Sequence, residues 1–202
     1  MYDSNAILSV REQIARQLRV DIINGVLKEN TKLKEQELAA RFGVSRGPIR
    51  DVLLQLTKEG LLISKNNCGV SVNSAPKSEF QPLLIDLRIR IESQAMKTVI
   101  NDLSEDDFLH LQQILKALMT AFEEENYLQV TEADIAFHRY LVQKAGGDDL
   151  VNLWQPIIYR MLMSYERIST AEECFEEHNE MLTHLRNKDL KSALAALKNN
   201  IK

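Results

Sequence analysis

Apolar residues at Ile7, Ile14, Leu18, Ile22 and Ile23 recur at the spacing of one helix face and stop at Gly25, which predicts a first helix closed by a glycine cap. The stretch KEQELAARFGV predicts a short second helix from about Glu35, ended by Gly43. A third is expected from Pro48 to about Glu59, because a proline in the first helical turn gives up only an N–H that has no partner there. Gly43 to Ser45 remain for the turn, and Ser45 suits an N-cap, so two short helices must cross steeply. After Gly60, two short apolar or β-branched runs flank Asn66-Asn67-Cys68-Gly69 and predict a β-hairpin.

The pattern then changes. VNSAPKSEFQP supplies small polar residues and two prolines, which places a linker at residues 73–78. From Glu79 onward apolar residues repeat with a period near 3.6 and strand signals all but vanish. Pro82 starts a helix to about Asn101, and Ser104 and Thr170 each open a capping box. Further breaks fall at Gly146-Gly147 and Asn187-Lys188-Asp189, giving about six helices in a bundle. The fold class is mainly α: a head at 1–72 and an all-helical body at 79–202. Trp154, Tyr159, Met161, Met163 and Tyr165 read as core residues.

Charge sharpens this division. The net charge is −4, yet residues 1–75 carry eleven Lys and Arg against eight Asp and Glu, while the remainder carries fourteen against twenty-one. A modestly basic head sits on an acidic body. Cys68 and Cys174 form no CxxC and read as unpaired thiols. No run of 18 apolar residues occurs, and MYDSNAILSV lacks the order of a signal peptide, so the expectation is a cytoplasmic protein with no membrane partner.

Two arginines, Arg46 and Arg50, stand at the mouth of the third helix, where the macrodipole is positive and offers a cation nothing. They call for an external polyanion. In the body, Asp134 and His138 lie four apart on one predicted helix and can grip one divalent ion, although a lone histidine in this setting is also a common core residue. His110 and His184 read as structural.

The head resembles the winged helix-turn-helix of GntR-family transcription regulators. The resemblance runs through IINGVLKENTKLKEQELAARFGVSRGPIRDVLLQLTKEGLLISKNNCGVSV, from Ile22 to Val72. The body resembles the FCD type through LRIRIE at Leu87 to Glu92, DIAFH at Asp134 to His138 and EHNEML at Glu177 to Leu182. The resemblance implies a homodimer on double-stranded operator DNA, with Arg46 and Arg50 reading guanines in the major groove. Lys34, Arg41 and Ser45 would lie against the phosphate backbone, and Asn66, Asn67 and Gly69 would reach an adjacent groove unless they simply form the hairpin tip. It also implies a metal centre, zinc or nickel, built from Asp134, His138 and His178, and here Asn200 stands where the pattern has a third histidine. Arg88 would clamp the carboxylate of a small organic-acid effector, or else form a surface i,i+4 pair with Glu92. The function expected is transcription regulation, by default repression, controlled by that effector. Two other readings are a regulator whose body only dimerises and a metal-dependent hydrolase, the latter lacking any nucleophile or matched acid and base.

Overall fold

The structure, a computed structural model, describes residues 9–65, 69–163 and 170–201. Ile7, Asn66, Asn67, Cys68 and Tyr165, each named above, lie outside the described residues. The head comprises α1 (Val10–Ile23), β1 (Lys32–Leu33), α2 (Glu35–Phe42), α3 (Arg46–Lys58), β2 (Leu62–Lys65) and β3 (Gly69–Val72). The body comprises α4 (Gln81–Val99), α5 (Glu105–Glu123), α6 (Tyr127–Leu162), α7 (Ala171–Arg186) and α8 (Leu190–Asn200). Contacts divide the chain into two units. One takes Pro82–Trp154 and the C-terminal helices; the other takes the chain up to Gln81 together with the last turns of α6 from Gln155.

In the head, α1, α2 and α3 bury Ile14, Leu18, Leu38, Ile49, Val52 and Leu56 against one another. Gly43 closes α2 at φ 64°, ψ 34°, the left-handed conformation that costs glycine little, and the N–H groups of Gly43 and Val44 return to Ala40 and Ala39. Two details differ from expectation. Helix α3 begins at Arg46, two residues before Pro48, because any of the first four helical N–H groups can be surrendered. Ser45 occupies the N-cap, but its hydroxyl makes no capping hydrogen bond. Its usual N3 donor falls on Pro48, which has no N–H.

The hairpin of β2 and β3 pairs Leu62 with Val72 and Lys65 with Gly69. It is joined by β1, which pairs antiparallel with β3 through Lys32–Ser71 and Leu33–Val70, giving the order β1-β3-β2. The end of α6 packs in this same unit: Arg160 donates to the Gly60 carbonyl at 3.3 Å, and the Arg19 guanidinium lies over the Tyr159 ring.

The other unit is helical, cored by Met96, Leu111, Leu118, Phe137, Trp154 and Met181. Both capping boxes form, Ser104 with Asp107 and Thr170 with Glu173. Gly146 and Gly147 break α6, with Gly147 at φ 60°, ψ −155°, a region reserved for glycine. A side chain at Gly146 would also meet Leu150 Cβ at 2.7 Å. Among the described residues, no helix is long and apolar enough to cross a membrane.

Candidate nucleic-acid interface and metal centre

The bend at Gly43 brings the first turns of α2 and α3 together. Arg46 and Arg50, four apart and so on one face of α3, are exposed at 63% and 66% of their side chains. Both forks close on a single carboxylate, Glu35, the first residue of α2. Arg46 donates to it through Nη2 at 2.7 Å and Nε at 3.1 Å, and Arg50 through Nε and Nη2 at 3.2 Å each. These hydrogen bonds outweigh the small effect of burial and hold the Glu35 carboxyl down at about 2. The anion that the arginines lacked is thus supplied from within the free protein.

Lys34 and Arg41 are also partnered. Lys34 Nζ sits 2.6 Å from Glu37, and Arg41 Nη2 donates to the buried Asp21 at 2.7 Å while lying over Phe42. Asp21 also accepts from Gln17, so Arg41 ties α2 to α1. Ser45 is exposed with its hydroxyl uncapped, and Gly69 is exposed at φ 78°. Thr57 returns its hydroxyl to the Leu53 carbonyl as a plain helix residue.

In the bundle, α6 presents Asp134 and His138, and α7 presents His178. One ligand atom from each lies within 4.8 Å of the others. Their outer partners decide how the rings face. His178 Nδ1 lies 2.7 Å from the Cys174 carbonyl, which can only accept, so Nδ1 carries the proton and Nε2 faces inward. His138 Nδ1 lies 2.6 Å from Glu92 Oε2, close but without hydrogen-bond alignment, and the carboxylate draws the proton to that nitrogen as well. The two Nε2 atoms then meet at 3.2 Å, with Asp134 Oδ1 3.3 Å from His178 Nε2. Phe137 packs edge-on against both rings.

Two ring lone pairs and a carboxylate converging in a buried space repel unless a cation joins them. Burial opposes a charge on His178, but its contacts with Asp134 and the Cys174 side chain prevail and raise it well above the ordinary histidine value. Asp134 is correspondingly held low. Either a proton or a divalent metal supplies the positive charge, and the donor set of two imidazoles and a carboxylate suits zinc or nickel. Asn200 donates its amide to Glu177 at 3.2 Å.

Arg88 and Glu92 do pair, at 2.9 Å, but the pair is buried, with side chains only 12% and 3% exposed. Of the two readings of Arg88, the surface pair is corrected by this burial: the pair exists but is internal. Glu92 is turned inward on the face of Ala95, Met96 and Val99. Glu92 also accepts from Trp154 Nε1 at 2.7 Å. Burial works against its ionised form, yet His138 and Arg88 together keep its carboxyl below the usual range. The charge of Arg88 is also felt at Asp134. Sequence reasoning passed over Glu35 altogether, since an acid at a helix start reads as a dipole partner. Glu92 carried a signal in its spacing with Ala95, Met96 and Val99.

The fold is that of a winged helix-turn-helix head with an all-helical body. Residues 10–72 match the gntR family of bacterial regulatory proteins, and residues 83–202 match the FCD domain. The chain therefore belongs to the GntR family and carries an FCD domain; it is a DNA-binding transcription regulator and not an enzyme. It is 28% identical over 189 residues to the HTH-type transcriptional regulator YdhC of Bacillus subtilis, covering 90% of this chain and 83% of that protein. It is also 28% identical over 184 residues to the HTH-type transcriptional repressor RspR of Escherichia coli, covering 89% and 80%. Among solved structures, Escherichia coli McbR/YncC superimposes with a TM-score of 0.78 at 23% identity, covering 96% of this chain and 94% of that one. A GntR regulator from Rhodococcus sp. RHA1 gives 0.70 at 22%, with the same coverage. These two likenesses speak for the fold.

Proposed function

We propose that the protein is a cytoplasmic homodimeric repressor that releases its operator in response to a small organic acid. Relatives named as repressors, RspR and the gluconate operon repressor of Bacillus subtilis, support the sign of the regulation. In this reading Arg46 and Arg50 pair with guanine edges, Lys34, Arg41 and Ser45 lie along phosphates, and the wing residues Asn66, Asn67 and Gly69 reach an adjacent groove. The uncapped, exposed hydroxyl of Ser45 supports its place there. Asp134, His138 and His178 hold a zinc or nickel ion, with Asn200 a weaker neutral neighbour engaged by Glu177. A bound metal would give an effector carboxylate a Lewis-acid partner, and Arg88 would orient that carboxylate. The effector must prefer one arrangement of the heads, since equal affinity for both would move nothing.

One observation carries the DNA reading: a tight glycine bend sets two exposed arginines side by side on the leading face of α3. Arg50→Ala tests it. Measured by fluorescence anisotropy, the variant should lose its preference for a duplex that the wild-type protein selects from a random-sequence library. Sedimentation should show the dimer unchanged; a variant that stays selective, or that loses the dimer instead, would remove Arg50 from this role.

A further inference from the structure

We infer that Glu35 is a specificity gate for the reading head: it holds Arg46 and Arg50 in a shared clamp that arbitrary DNA opens poorly and a correctly spaced pair of base contacts opens fully. The inference rests on the DNA-reading role of those arginines and goes beyond it. Glu35 accepts four hydrogen bonds from the two guanidinium groups, and in each it occupies the Nε–Nη2 edge, one of the two edges that can pair bidentately with guanine or phosphate. The clamp lies at the surface, where ion pairs are weak and exchange readily, so it can open when a partner arrives.

Its chemical effect differs between the two kinds of DNA. Non-specific binding depends on neutralising phosphates with uncommitted cations, and here one carboxylate already offsets the two foremost cations of a head whose charge surplus is small. Because both forks share one acceptor, releasing one arginine leaves the other holding Glu35. Full release needs two replacement acceptors at once, which an operator half-site provides and a random sequence rarely does. The carboxylate therefore penalises wrong sites more than right ones, a repulsive element built for discrimination.

The test compares wild type with Glu35→Gln and Glu35→Ala, using the duplex selected by the wild-type protein and an unselected duplex of equal length, at fixed salt. Both variants should bind the unselected duplex several-fold more tightly and gain less on the selected one, so the ratio of the two affinities falls. An unchanged ratio, or weaker binding to the selected duplex, overturns the gate; the latter would make Glu35 a support that aims the arginines in the complex. Failure of the wild-type protein to prefer any duplex would overturn the reading of the head itself, and the gate with it.

Discussion

At the residue scale, the body turns on Glu92, one carboxylate that meets Arg88, Trp154 and His138. A carboxylate behind a ligating histidine holds the ring and its proton in the orientation that leaves the far nitrogen for metal. Glu92→Gln keeps the size but removes the charge that fixes His138. Zinc affinity measured by calorimetry should fall by roughly 10- to 100-fold, the usual cost of losing such an outer partner. Circular dichroism should show the helices retained, and an unaltered affinity would free His138 from this control. The pairing of Arg88 with Glu92 was legible in their i,i+4 spacing. The convergence of Trp154 and His138 on the same carboxylate was not, because nothing local in the chain records which buried groups from other helices will meet.

At the element scale, the parts governed by local chemistry were the legible ones. The Gly43 stop, the Ser104 and Thr170 capping boxes and the Gly146-Gly147 break are each set by residues within a few positions. Strand β1 escaped, since two residues carry no period and its pairing with Val70 and Ser71 is distant in sequence. So did the joint between α5 and α6. There Asp107, already in its capping box, accepts from Tyr140 at 2.5 Å and Lys144 at 2.8 Å. Burial resists its ionisation, but Lys144, Tyr140 and Ser104 prevail and keep its carboxyl well below the usual range. A carboxyl lowered by folding stabilises fully above its unfolded value near 4 and loses that effect as pH falls toward its folded value. The melting-temperature gap between wild type and Asp107→Asn should therefore hold its full width from neutral pH down to about pH 4 and narrow progressively below it. A gap that does not narrow there would show that Asp107 acts through shape and not charge.

At the scale of the whole molecule, the charge asymmetry assigns the polyanion to the head, because the body repels it and the head's surplus is small. A small surplus makes each backbone cation count and gives the cations separable signatures. In the proposed reading Arg46 and Arg50 contact bases, so their loss would erase preference, whereas Lys34, at the entry to α2 with its ammonium exposed beside Glu37, would meet a phosphate. Lys34→Ala should weaken selected and unselected duplexes by about the same factor. It should also flatten the slope of log affinity against log salt by about 1 per head, the release of one counterion each. Anisotropy titrations at several salt concentrations measure both. If Lys34→Ala instead changes the preference between duplexes and leaves the slope alone, then Lys34 reads sequence, and the boundary between reading and anchoring residues moves from α3 into α2.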